Sequence, residues 1–142
     1  MQMKRILSAL ILALVCATLS VSADDLAEFQ GKWSVKKTSD QGTFTQFLEF
    51  TKNKWKFKMV GSDGNTVLVA EGNLELKEAG GVKIAKLTDI KAGGSASDLN
   101  DTNDDRVSVY TFRDGKLILA GNFDKERNNE KPSMDEYSKV TK

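Results

Sequence analysis

The sequence contains no histidine, only one cysteine and only one proline in 142 residues. The catalytic pairs that need histidine, and the usual zinc ligand sets, therefore cannot be assembled. A lone cysteine, Cys16, cannot form a disulfide within the chain, so the fold must be held together by its core. Pro132 interrupts no predicted strand. These absences argue against an enzyme, and nothing in the sequence requires a metal or another cofactor.

Acidic and basic residues are nearly balanced, with 21 Lys and Arg against 20 Asp and Glu. Such a chain has no charge excess that would attract nucleic acid or an anionic membrane surface. Carboxylates are abundant, but most fall on predicted outer faces or turns, such as Glu71, Glu75 and Asp89. A pair of carboxylates converging in a cleft, as glycosidases need, is not indicated.

The N-terminal segment has the pattern of a secretory signal peptide. Lys4 and Arg5 precede an almost unbroken apolar run over residues 6–19, and small residues follow up to Ala23. The run is short for a membrane span and is not repeated, so we expect no stable membrane insertion of the mature chain. Cleavage near Ala23 predicts a protein that is secreted or periplasmic.

This cleavage would divide the chain into a signal peptide, residues 1–23, and one mature domain, residues 24–142. Loss of two basic residues would lower the formal charge from +1 to −1. Cys16 would leave with the signal peptide. A lipoprotein would need a small residue before the cysteine, but Val15 stands there.

The mature chain is dominated by an alternation of apolar and polar residues with period two, which indicates β-strands with one dry face. In KWKFKMV, for example, Trp55, Phe57 and Met59 alternate with lysines. Eight such segments are separated by turn residues, which is typical of an antiparallel all-β domain. They are KWSVKKT, GTFTQFLEFT, KWKFKMV, TVLVAEGNLELKE, GVKIAKLTD, RVSVYTF, GKLILAGN and DEYSKVTK.

Two Asp-Gly pairs, Asp63-Gly64 and Asp114-Gly115, lie between such segments and predict tight hairpins, because glycine tolerates the positive φ angles that these turns need. Strands joined by hairpins in chain order form an up-and-down sheet. A curved sheet of eight strands removes its edges best by closing, so the sequence predicts an eight-stranded antiparallel barrel.

The start of this barrel is predicted from residues 24–29, which could form one helical turn with Asp24 or Asp25 as its cap. Gly31 then lets the chain turn into the first strand, and Trp33 is expected to plug the barrel floor. A helical turn followed by Gly-x-Trp resembles the opening of lipocalins and the wider calycin group. With VAEGNLEL and ERNNEKPSMDEYSKV, the chain is similar to uncharacterised lipocalin-like secreted bacterial proteins.

The chain also departs from the lipocalin pattern. Typical members place an arginine near the end of the last strand, stacked across the tryptophan, but here EYSKVTK offers only Lys139 and Lys142. Arg127 could fold back to take that place, although a solvent-facing loop is the simpler interpretation. The Thr-Asp-Tyr-like motif of lipocalins is missing from YTFRDGK.

The resemblance implies a small hydrophobic or amphipathic ligand inside the barrel, with Gln46 or Tyr110 as a polar anchor. The alternative is a barrel filled by its own side chains, which is common in small barrels. Residues predicted to point into the interior are Phe44, Gln46, Leu48, Phe50, Trp55, Phe57, Met59, Leu68 and Tyr110.

Two long segments without strand pattern, residues 89–106 and 122–136, are predicted as loops. They suggest a second hypothesis, a protein-binding or inhibitory module that acts through its loops, with no particular protein partner indicated. The acidic run from Asp98 to Asp105 invites a calcium interpretation, but Asn103 and Val109 occupy the positions where an EF-hand needs glycine and glutamate. A solvated loop is favoured, and a monomer is expected.

Overall fold

The computed structural model describes residues 21–141, as one helix and nine strands. The predicted signal peptide therefore lies almost wholly outside the described residues. Within them, no helix has both the length and the apolar character needed to cross a membrane. The elements are α1 (Val21–Phe29), β1 (Gly31–Ser39), β2 (Gly42–Thr51), β3 (Lys54–Gly61), β4 (Thr66–Ala79), β5 (Val82–Ser95), β6 (Asp98–Asp101), β7 (Arg106–Arg113), β8 (Lys116–Gly121) and β9 (Ser133–Lys139).

Eight of the strands form a closed antiparallel barrel in which each strand pairs with its neighbours along the chain. The order runs β1-β2-β3-β4-β5-β7-β8-β9, and β9 pairs with β1 to close it. The short strand β6 adds to the far end of β5 outside this circuit. The predicted all-β fold, an eight-stranded up-and-down barrel with a short N-terminal helix, is confirmed.

The predicted turn chemistry explains part of this order. Asp114 and Gly115 both adopt positive φ angles, 53° and 73°, and join β7 to β8 as a two-residue hairpin. This is the geometry in which the twist of the turn matches the twist of the strands. Gly64, with a φ of 81°, lies in the turn between β3 and β4. The two-residue hairpin at Asp114-Gly115 is confirmed. The chain also reverses at Asp63-Gly64, but the predicted tight form is wrong there, because four residues separate Gly61 from Thr66 and Asp63 does not adopt a positive φ angle.

The two ends of the barrel differ in what covers them. At the end where β1 begins, the helix α1 packs against a buried core that includes Trp33, Phe50, Trp55 and Leu117. At the other end lie the turns after β1, β3 and β5 and the long segment between β8 and β9. We call these two ends the base and the mouth.

The prediction of a loop over residues 89–106 is wrong. β5 continues to Ser95, and β6 then pairs back along it. The continuation depends on an irregularity in the β4–β5 ladder, where Asp89 takes a φ of 50° and Ile90 is buried. A bulge of this kind shifts the alternation by one residue, so the period-two pattern of the sequence breaks at this point although the strand continues.

The last strand begins earlier in the chain than the sequence pattern predicts. β9 spans Ser133–Lys139 rather than residues 135–142, which shortens the preceding segment to residues 122–132. That segment carries a small bridge of its own between Arg127 and Glu130. The predicted helix cap also needs correction, because α1 begins at Val21 and both Asp24 and Asp25 lie inside it.

Candidate functional site

The base of the barrel is closed by the last residue of α1. The Phe29 side chain has 0% exposure, and its ring meets the rings of Phe50, Tyr110 and Phe112 edge-on. The ring centroids lie 4.8 to 5.0 Å apart, which is the favourable range for aromatic pairs. Helix α1 is therefore a hydrophobic plug as well as a lead-in to β1.

Trp33 lies beside this plug with 2% exposure. Its Nε1 donates a hydrogen bond of 2.8 Å to the backbone oxygen of Phe29. The Lys139 ammonium lies 5.0 Å from the centre of the indole ring, so this lysine occupies the place that the resemblance assigns to an arginine. Gly31 has a φ of 103°, and a side chain there would press on Lys139. Arg127 does not fold back to Trp33, because it lies at the mouth, at the other end of the barrel.

A polar contact that the sequence analysis missed also ties α1 to the base. Asp25 is buried, at 7% exposure, and accepts hydrogen bonds from the Tyr110 hydroxyl at 2.8 Å and from Lys83 Nζ at 3.1 Å. Burial and the adjacent carboxylate raise the pKa of Tyr110 well above its usual value. Asp25 stands four residues before Phe29, so the helical period alone places both on one face.

The Asp25 contact changes the role of one predicted anchor. The Tyr110 hydroxyl is occupied by the carboxylate at the closed base, at the opposite end from the mouth. Among residues 21–141, every fully buried side-chain nitrogen or oxygen has a hydrogen-bond partner. The base therefore presents no unpaired polar group that a deeply bound ligand would satisfy.

The lower half of the interior is filled by side chains. A cavity of about 20 Å³ remains there, lined by residues such as Leu48, Phe50, Trp55 and Leu74. This space is about the size of one water molecule, and an apolar lining leaves such a cavity dry. No drug-sized ligand fits into it without moving core side chains.

The upper half of the interior differs, because inward-facing residues there are only half-buried. Phe44, Gln46 and Met59 share a face with the buried Leu48 by register and alternation, yet all three are partly exposed, and Leu68 is 36% exposed. Residues that point inward but still meet solvent indicate that the barrel is open at the mouth. Three of these four side chains are apolar, and they lie on β2, β3 and β4.

The adjoining arc of the mouth, on β1 and β9, is polar. Lys37 Nζ lies 2.8 Å from a carboxylate oxygen of Asp135, across the pairing of β1 and β9. The Tyr137 hydroxyl donates a hydrogen bond of 3.2 Å to the Gln46 side-chain oxygen. Burial, followed by the charge of Asp135, raises the pKa of Tyr137 above its usual value. The mouth thus has one apolar arc and one arc of hydrogen-bonding groups.

The rim of the mouth is held by a network of charged side chains. Arg127, whose side chain is 8% exposed, donates hydrogen bonds to Asp104 and Asp124 at 2.8 Å each. These bonds hold the pKa of Asp104 far below its usual value and also lower that of Asp124. Arg106 binds Glu130 through both of its terminal nitrogens. The segment after β6 and the segment after β8 are therefore tied together.

The predicted interior residues fall into two groups. Leu48, Phe50, Trp55 and Tyr110 are buried in the lower half, and Phe57 is partly buried against that core. The mouth group is Phe44, Gln46, Met59 and Leu68.

The acidic run from Asp98 to Asp105 forms no ligand cluster, since residues 21–141 contain no group of three side chains that could hold a metal.

The closed eight-stranded barrel, with its helix at the base, is consistent with a calycin-like fold. No protein-family model, no curated protein and no solved structure matches this chain.

Proposed function

We propose that this protein binds a small amphipathic molecule at the mouth of its barrel. The observation that carries the proposal is the mixed lining of the mouth, where an apolar arc adjoins a polar one. Lys37 is the cross-strand neighbour of Phe44, Gln46 is that of Met59, and Leu68 extends the apolar arc on β4. An apolar group would lie on the first arc and lose its contact with water, and a polar group would meet hydrogen-bonding partners on the second. The packed lower half limits the ligand to a shallow position.

The proposed role is binding rather than catalysis, which is supported by the lack of histidine and cysteine in residues 21–141. The N-terminal pattern supports action after export, as a secreted or periplasmic member of the lipocalin-like group. The resemblance of the first strand to that group supports the same proposal.

The test uses the ¹⁵N-labelled protein and decanoate, with decanol as the neutral partner. We expect saturable amide shifts on the mouth residues of β2, β3 and β4, and little change at the base. The matched variants are Phe44→Ala and Phe47→Ala, which remove half-buried rings from opposite faces of β2. Only the first should weaken binding, by about tenfold or more, because only its ring faces the mouth.

The proposal would be overturned if neither compound, nor a panel of fatty acids, retinoids and porphyrins, shifts the mouth amides. Equal effects of the two phenylalanine variants would also contradict it, since they would place binding elsewhere. Unfolding midpoints of both variants serve as the control for damage to the fold.

A second candidate function rests on the rim. The Arg127 network fixes the segments after β6 and β8, and a fixed loop loses less entropy when it binds a partner. We infer that these segments suit a protein partner if the mouth binds no small molecule. Exposed Phe123, at 48% exposure on the second segment, would be the first contact to test by Phe123→Ala.

A further inference from the structure

The outer surface of the barrel carries a groove of about 180 Å³ across β1 to β4. Strand alternation places its main residues, such as Phe47, Lys58 and Val69, on the face that points away from the interior. The tip of the β5–β6 hairpin adds Ala96 and Leu99 to one side. The groove is thus separate from the mouth and lies beyond the proposed function.

The floor of the groove is apolar and has the size of one aromatic ring. Phe47 and Val69 are half-buried, and so is Leu99 from the hairpin. For comparison, an apolar cavity of about 150 Å³ in another protein is large enough to bind benzene. A single ring or a short branched group fits this space, whereas a long acyl chain does not.

Three lysines, Lys32, Lys56 and Lys58, surround this floor. Lys58 is opposite Phe47 on one neighbouring strand and opposite Val69 on the other, so neither of its direct cross-strand partners is acidic. Lys32 Nζ lies 4.6 Å from the centre of the Phe47 ring. A cation next to an aromatic surface favours a ligand that combines a ring with a negative charge.

Two glutamates also line the groove, Glu49 and Glu71, and both are direct cross-strand neighbours of Lys56. They offset the charge of that lysine, and Glu49 is also the cross-strand neighbour of Lys32. Lys58 is therefore the groove lysine without an acidic cross-strand neighbour, and it is the anchor. The lysines that form ion pairs within residues 21–141 are others, namely Lys37, Lys77, Lys83, Lys116 and Lys125. A carboxylate that reaches Lys58 therefore breaks no existing ion pair.

We propose that the outer groove is a second binding site, which takes a small aromatic carboxylate with its ring on Phe47 and its carboxylate toward Lys58. The ring is held by burial against Phe47, Val69 and Leu99. The charge selects an acid over a neutral compound of the same shape. A ligand this small binds in the millimolar range, since few atoms contribute.

The test is a titration of the ¹⁵N-labelled protein with benzoate, and with benzyl alcohol as the neutral match. We expect saturable amide shifts at Phe47, Lys58, Val69 and Leu99, with benzoate binding at least threefold tighter than the alcohol. Lys58→Gln should weaken benzoate binding by about threefold and leave the alcohol unchanged. The matched control is Lys77→Gln, an exposed lysine on the same outer face of β4 but outside the groove.

Three results would overturn this inference. They are shifts that do not saturate, equal affinity of Lys58→Gln and the unaltered protein for benzoate, and shifts at the mouth residues Gln46 and Met59 instead of the groove. Because Lys58 is exposed, its substitution leaves the fold intact, and an unchanged unfolding midpoint verifies this. Failure here leaves the decanoate experiment unaffected, since the two sites are read by different amides.

Discussion

Replacing Phe29 by alanine tests whether α1 really seals the barrel. The side chain is fully buried and contacts three other rings edge-on. Removal of a buried phenylalanine costs about 3–5 kcal/mol, and the loss of three aromatic contacts places this site toward the upper end. We therefore expect the free energy of unfolding to fall by about 4–5 kcal/mol, a large fraction of the 5–15 kcal/mol typical of whole domains.

The assay is urea unfolding at equilibrium, followed by tryptophan fluorescence and by circular dichroism. The matched control is Phe123→Ala, which removes the same ring from a position that is 48% exposed and should cost less than about 0.5 kcal/mol. Phe29→Leu keeps most of the buried volume and should cost roughly 1–2 kcal/mol. A loss below about 1 kcal/mol for Phe29→Ala would refute the conclusion that the helix is a plug.

Three further predictions concern single contacts. Tyr110→Phe removes the hydroxyl that donates to Asp25 and should lower the free energy of unfolding by about 1–3 kcal/mol, and no change would mean that the contact is unimportant. Gly72→Ala should destabilise by about 1–3 kcal/mol, because a Cβ there would lie 2.6 Å from the Thr88 carbonyl oxygen, and an unaltered midpoint would contradict that close approach. The folded-state pKa of Asp104 is lowered, so its stabilising effect is complete above the unfolded value of about 3.9 and is lost as the pH falls below it. Urea unfolding between pH 5 and pH 2 should therefore show a smaller loss of stability for Asp104→Asn than for the unaltered protein.

Much of the barrel could be predicted because its signals are local. Alternation along each strand separates Trp55 and Phe57 from the lysines between them, whatever the strand pairs with. Asp114-Gly115 could be recognised as a tight hairpin, because few other residue pairs accept the positive φ angles that this turn needs. These features depend on neighbours in the chain, so the sequence contains them directly.

The errors arise where the local pattern is broken. At Asp89 a positive φ angle shifts the alternation, and the second half of β5 then looks like a loop. Its partner β6 is recognisable only after that half is known to be a strand. The roles of Asp98 and Asp104 could not be predicted for a similar reason. A run of acidic residues does not reveal that Asp98 lies in a strand, or that Asp104 is bound by an arginine 23 positions later.

The composition and the period of this sequence by themselves determined a closed all-β barrel with an aromatic base, because strand faces and tight turns are set within a few residues. Only the tertiary structure decided which part of that barrel has room. The 20 Å³ left in the lower half and the outer groove beside the β5–β6 hairpin depend on side chains from strands that are not all neighbours in the chain. The open mouth depends on how far the inward-facing side chains fill the upper half of the closed barrel. Volume is a property of the assembled side chains, and no alternation along one strand encodes it.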